Sequence, residues 1–146
     1  MPIVLVRHGE AVGSQEDDGA RFLTFRGRSE SRKVALALKE RGVVATQFVT
    51  SPLVRAVQTA EIFAHALGFE GTLTTETLLV PDGDPALALK RIPISTGLTI
   101  VVTHEPIVRL MAALLVRQPT FAAFRTSGVA MFEGTRVTLT LSPESA

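Results

Sequence analysis

Ile3-Val4-Leu5-Val6-Arg7-His8-Gly9-Glu10 is where the reading of this chain begins. Its first four residues are all apolar and leave no polar face. The segment therefore reads as a strand buried on both sides, the signature of a parallel sheet covered by helices. Gly9 then lets the backbone turn sharply, because it takes φ > 0 without steric cost. A guanidinium and an imidazole are thus delivered at the carboxyl end of a buried strand, the edge at which open α/β sheets bind ligands. Working outward, the question is what else the chain brings to His8.

The 146 residues suffice for one domain with a real core, spanning residues 1–146. Hydrophobic residues make up 46% and charged residues 20%, a globular composition. The formal net charge of +1 provides no global field to recruit nucleic acid or an anionic membrane, so any anion preference must be local. Absence of cysteine excludes disulfides, thiolate catalysis and Cys-ligated metals. Without Trp or Tyr, the case for stacking on bases is weak. The start lacks the basic and long apolar regions of a signal peptide, and no apolar run approaches the ~20 residues that span a bilayer. The expectation is a soluble, cytoplasmic monomer that takes no nucleic acid or membrane as partner.

Beyond the first strand, Ala11 to Phe22 reads as a loop lying over the strand end, with Glu16-Asp17-Asp18 as a solvated tip. Thr24 is a candidate N-cap for a helix running to about Arg41, with Gly42 just past its end and Val34, Ala35 and Leu38 as its apolar stripe. A strand at Gln47–Thr50 precedes Ser51-Pro52, which reads as N-cap and N1 of a second helix packed through Leu53, Val57, Ala60, Ala64 and Leu67. Leu73–Thr75 is a third strand. Asp84 and Pro85 start a short helix at about Ala86 to Ile92. Leu98–Thr103 is another buried strand. Pro106 opens a helix through Val116, with Ile107, Leu110, Met111, Leu114 and Leu115 as its core stripe. Gly128–Phe132 and Arg136–Leu141 read as a hairpin around Glu133-Gly134-Thr135. Strand–helix units followed by a hairpin predict a three-layer α/β/α sandwich with a mostly parallel central sheet.

Three strand-to-helix junctions share one layout. His8 follows the first strand, Arg55 lies in the first turn after Ser51-Pro52, and His104 follows the strand Leu98–Thr103. If those strands are parallel, all three residues stand on one sheet edge, and helix N-termini with free N–H groups point there too. Adding Arg7 and the loop's Arg21 surrounds one point with guanidiniums and imidazoles. Arginine grips phosphate through a planar fork, so phosphate is the natural occupant.

Arg7-His8-Gly9, the block Ser51-Pro52-Leu53-Val54-Arg55-Ala56-Val57-Gln58-Thr59 and the late pair Thr103-His104, in that order, resemble the histidine phosphatase superfamily, or phosphoglycerate mutase-like fold. The short length and the segment Arg21-x-Leu23-Thr24 are most similar to its SixA-type phosphohistidine phosphatases. The resemblance spans nearly the whole chain. It implies that His8 is a nucleophile that becomes phosphorylated, that Arg7, Arg55 and His104 hold the phosphoryl oxygens, and that Arg21 joins them. It implies hydrolysis of phosphohistidine in a protein partner with no metal and no cofactor. Two alternatives stay open: a small-molecule phosphomonoesterase of the same superfamily, and a non-catalytic module that binds a phosphorylated ligand.

The residues support these roles on physical grounds. A neutral imidazole is a competent nucleophile near neutral pH, and fixed cations can stabilise the transferring phosphoryl group. Many larger relatives supply a carboxylic acid from an inserted segment, which this chain lacks. Glu10, Asp82 and Asp84 are the candidates, and Asp84 doubles as a helix cap. A phosphoramidate needs that acid less than an alkyl ester does, because a protonated imidazole leaves as a neutral ring. Phe22 stands where related sequences carry Pro. His65 lies mid-helix as a structural or exposed residue, Gln58 and Thr59 support the Arg55 turn, and Met111 and Met131 fill core. Three histidines with no close pair make a metal site a poor reading.

Overall fold

The computed structural model describes residues 2–13, 17–93 and 95–146. Strand β1 (Ile3–Arg7) leads through a loop and a single 3-10 turn (Asp18–Ala20) to helix α1 (Phe25–Glu40). Then follow β2 (Ala45–Thr50), α2 (Val54–Leu67), the short β3 (Thr74–Thr75), α3 (Pro85–Arg91), β4 (Leu98–Thr103) and α4 (Ile107–Val116). The hairpin β5 (Val129–Glu133) and β6 (Arg136–Leu141) closes the order.

The sheet runs β3-β2-β4-β1-β5-β6. β1, β2, β3 and β4 pair in parallel, while β5 runs antiparallel to β1 and β6 to β5. Alternation along β1 sends Val4 and Val6 into one core and Ile3 and Leu5 into the other. The first core also holds Val34 and Leu38 of α1 and Phe63 of α2; the second holds Ala88 of α3 and Ile107 and Met111 of α4. Helices therefore cover both faces, which is the expected α/β/α sandwich with a mostly parallel sheet and a C-terminal hairpin. Its two central strands, β4 and β1, are buried on both sides, hence the unbroken apolar run Ile3–Val6 and the largely apolar Leu98–Thr103.

Local details depart from expectation in four places. Ser51 and Pro52 are not the N-cap and first residue of α2: the helix starts at Val54 after Leu53, with no side-chain cap. The α4 stripe is rotated. Ile107, Val108, Met111 and Ala112 are buried, whereas Leu110 and Leu114 are exposed, because this helix has apolar residues nearly all round and packing selects the face. Phe63 and Ala56, rather than Val57 and Leu67, form the deep face of α2 with Ala60 and Ala64. Gly9 is needed for a different reason from the expected one. It does not adopt positive φ; instead a Cβ there would lie 2.7 Å from Ser31 Oγ and 2.9 Å from the Gly27 carbonyl, so α1 approaches too closely for any side chain. The caps at Thr24, on the Gly27 N–H, and at Asp84, on the Leu87 N–H, are as expected.

Candidate active site

The parallel register aligns three strand ends. Arg7 of β1 lies beside Thr103 of β4, and Thr50 of β2 beside Val102. Ladder bonds continue one residue further, from His8 N–H to the Thr103 carbonyl (3.0 Å) and from Ser51 N–H to the Val102 carbonyl (2.9 Å). His8, Ser51 and His104 thus emerge side by side at the carboxyl edge. The two imidazole rings stand 4.9 Å apart between centroids, at 8% and 1% exposure.

The His8 ring is oriented by its Nδ1–H, which donates to the Gly9 carbonyl at 2.7 Å. That bond fixes the tautomer and leaves the lone pair on Nε2. The Gly9 amide donates to Thr59 Oγ1 (3.0 Å), whose hydroxyl donates to the Arg55 carbonyl (2.8 Å). Thr59 therefore supports the Arg55 turn, as expected, and ties it to the His8 loop. Gln58 does something else: its Oε1 accepts from Leu23 N–H at 2.8 Å and holds the covering loop.

Burial presses the His8 pKa down to about 4, against the opposing Gly9 bond, with Arg55, Arg7 and Arg21 adding to the fall. His104 is pushed to about 3, by burial first and then by His8 and Arg55. Both imidazoles are therefore neutral near pH 7, and all three arginines lie within electrostatic reach of His8.

Arg7 is anchored from behind. Its Nη1 donates to the Phe124 carbonyl (2.8 Å), and the Phe124 amide donates to Glu105 Oε2 (2.9 Å). Burial lowers the Arg7 pKa from its ordinary value, with Glu105 working against that fall. Arg55, 3% exposed, donates from Nη1 to the Asp18 carbonyl (2.9 Å) and from Nη2 to Asp18 Oδ2 (3.2 Å). Arg21 donates from Nε to the Val12 carbonyl (2.8 Å) and from Nη1 to Asp18 Oδ1 (3.1 Å).

Among the described residues, three buried side-chain nitrogens have no hydrogen-bond partner: Arg7 Nε, Arg55 Nε and His104 Nδ1. Buried polar nitrogens without partners are costly, and here they belong to Arg7, Arg55 and His104, which lie near His8. The α2 and α4 N-termini, at the same edge, also have no side-chain cap. This donor set suits a tetrahedral anion seated over His8 Nε2.

Two participants escaped the sequence reading. Ser51 Oγ accepts from Leu53 N–H (3.2 Å) and shares a 2.7 Å hydrogen bond with His104 Nε2. Its Ser-Pro context pointed to a helix cap instead. Asp18 was expected as part of a solvated tip, yet it bridges two site arginines; Asp17 caps the 3-10 turn through Gly19 N–H, and Glu16 lies outside the described residues. Of the acid candidates, Glu10 accepts from the Thr24 hydroxyl (2.9 Å) at the start of α1, and Asp84 caps α3. Asp82 is exposed. Among the described residues, no group of three or more His, Cys, Asp or Glu is placed to hold a metal ion, and no helix is long and apolar enough to cross a membrane.

Comparison with known proteins agrees with this geometry. The sequence model of the histidine phosphatase superfamily (branch 1) matches residues 3–79. Phosphohistidine phosphatase SixA of Escherichia coli (strain K12) is 31% identical over 134 residues, covering 89% of this chain and 83% of that protein. The structure of the protein histidine phosphatase SixA complexed with tungstate superposes with a TM-score of 0.87 at 29% identity, over 98% of this chain and 97% of that one. The mitochondrial serine/threonine-protein phosphatase Pgam5 of Drosophila mojavensis is 34% identical over 83 residues, which is 57% of this chain but only 29% of that protein.

Proposed function

The chain belongs to the histidine phosphatase superfamily, and on that premise we propose that it hydrolyses phosphohistidine in a protein partner through a phospho-His8 intermediate, residues 1–146 acting as one domain. The observation that carries this reading is the set of three unpartnered buried nitrogens, Arg7 Nε, Arg55 Nε and His104 Nδ1, beside an imidazole whose tautomer is already fixed. The likeness to SixA, over most of both chains, supports the substrate class.

In the proposed first step, His8 Nε2 attacks phosphorus in line with the scissile P–N bond. That bond's electron pair goes to the departing ring nitrogen. If the ring's other nitrogen is protonated, the ring leaves as neutral imidazole and no proton need be transferred. Arg7, Arg55 and His104 donate to the equatorial oxygens, where charge resides in a loose transition state. In the second step water attacks the phospho-His8 phosphorus. The P–N electrons return to Nε2, and the proton of water ends on the released phosphate. The Gly9 carbonyl bond to Nδ1 keeps the ring in one tautomer throughout.

Rapid-quench labelling with a phosphohistidine peptide tests this reading. Wild type should form an acid-labile phosphoenzyme and release phosphate, while His8→Ala should do neither and keep its far-ultraviolet circular dichroism. Turnover by His8→Ala would overturn the proposal. Label trapped on wild type only from small phosphate esters would assign the chain to the phosphomonoesterases instead.

A further inference from the structure

At the mouth of the site, Asp18 is the acidic residue whose place the proposed reaction does not use. Its side chain is 65% exposed, yet three bonds fix it: Oδ2 to Arg55, Oδ1 to Arg21, and its own carbonyl to Arg55 Nη1. The turn beneath it is held by Asp17 on the Gly19 N–H, and Arg21 is itself pinned to the Val12 carbonyl. A negative charge is thus built in beside the site arginines, on the exposed side of Arg55. The arginines alone would attract phosphate esters of every kind, including those whose leaving groups are anionic.

We propose that Asp18 is a specificity-determining residue: its fixed carboxylate accepts a hydrogen bond from the remote ring N–H of a departing imidazole and repels leaving groups that carry negative charge. The inference rests on, and deepens, the phosphohistidine reading. With the phosphoryl group over His8 Nε2, in-line geometry directs the leaving group away from His8 and out toward the mouth. Arg55 Nη2 faces Asp18 Oδ2 at 3.2 Å, and a phosphoryl oxygen held by Arg55 Nε would lie one hydrogen bond, about 2.9 Å, from that nitrogen. The carboxylate thus lies across a single guanidinium from the phosphoryl group, on the scale of an imidazole bonded to phosphorus. A carboxylate facing that N–H favours the protonated phosphoimidazole, the form that departs as a neutral ring when the P–N bond breaks toward it. The same charge works against a carboxylate-bearing alcohol or phenol. Asp18 takes Nη1 and Nη2 of Arg55 and leaves Nε without a partner, so an anion can use a different part of the guanidinium.

Asp18→Asn removes the charge, while its amide oxygen and backbone carbonyl can still meet Arg55 and Arg21. The test compares kcat/KM of wild type and this variant on a phosphohistidine peptide, phenyl phosphate and 4-carboxyphenyl phosphate. We expect kcat/KM on the phosphohistidine peptide to fall about tenfold further than on phenyl phosphate, and the ratio of the carboxylated to the plain ester to rise severalfold. Equal losses on all three would mean that Asp18 only orients Arg55, and would overturn the inference, as would no change on any. Wild type inert toward phosphohistidine would sink the substrate reading. The ratio of the two aryl esters would then still judge Asp18, a rise in favour of the carboxylated one supporting its role and a ratio equal to that of wild type refuting it.

Discussion

Ser51 and His104 form the pair in which one hydrogen decides what the site can hold. If Ser51 donates to His104 Nε2, then Nδ1 carries the ring proton and faces the anion as a donor; if the ring donates instead, Nδ1 presents a lone pair that repels it. Leu53 N–H already uses one acceptor position of the hydroxyl, and a bound phosphoryl oxygen selects the first arrangement. Ser51→Ala removes this preference while leaving the ring buried. The expected loss in kcat/KM is about tenfold, the scale of one hydrogen bond. Ser51→Thr should recover most of it, and the imidazole ¹⁵N shifts of the phosphate complex should report a mixture of tautomers in the alanine variant. An unaltered tautomer there would show that Ser51 does not position His104. A second expectation concerns acidity. Because burial holds the His8 pKa near 4, the proposed nucleophile stays neutral well below the ordinary imidazole range. The kcat/KM profile on phenyl phosphate, corrected for the ionisation of the ester, should have its acidic limb near 4. An enzyme limb at about 6.5 would count against a buried neutral His8.

Between elements, the closest approach is that of α1 to the loop after β1. A Cβ on Gly27 would collide with the Glu10 carbonyl, and one on Gly9 would meet Ser31 and Gly27 from the other side. The two glycines face each other, and their absent side chains let the start of α1 lie against the His8 loop. Gly27→Ala should lower the urea-derived stability by about 1–3 kcal/mol, the range for overpacking a tight contact, and should depress kcat more than the same exchange at the open Gly13. Equal, small effects at both positions would mean that the helix slides without disturbing His8. This contact also shows what the chain reveals on reading. Ile3–Val6 is apolar without interruption and Leu98–Thr103 largely apolar because both faces are covered, so the sheet and its helices were legible locally. His8, Arg55 and His104 were legible because each follows a strand end, and parallel strands bring those ends to one edge. Gly9 was readable as necessary but not why, since its neighbours Ser31 and Ser127 lie far along the chain. Ser51 and Asp18 followed local rules, a cap before proline and an acidic loop tip, until tertiary partners claimed them. Leu110 and Leu114 fitted a helical stripe equally well as the residues that are buried, and only packing against the sheet separates the two faces.

Across the whole molecule, a site of neutral buried histidines beside the buried Arg55 links function to acid stability. The unfolded chain takes up protons on these imidazoles near the ordinary value of ~6.5, whereas the folded chain does so only near about 4 for His8 and about 3 for His104. Both folded pKa values are depressed, so between these limits the unfolded state binds more protons. Stability is therefore fully present above ~6.5 and declines as pH falls toward the folded values. Most carboxylates remain ionised between pH 6.5 and 5, so the decline in that window is owed largely to the two site histidines. Urea midpoints taken across it should fall for wild type by an amount worth about 1–3 kcal/mol. The double variant His8→Asn, His104→Asn, which cannot take up those protons in either state, should have a visibly flatter dependence. Orthovanadate, a tetrahedral anion presented to the unpartnered nitrogens, should raise the wild-type midpoint and leave the double variant nearly unmoved. Parallel pH slopes in the two proteins would show that the acid sensitivity has another source. Equal vanadate shifts would place the anion away from the two histidines and remove the physical basis for reading residues 7, 8, 55 and 104 as one site.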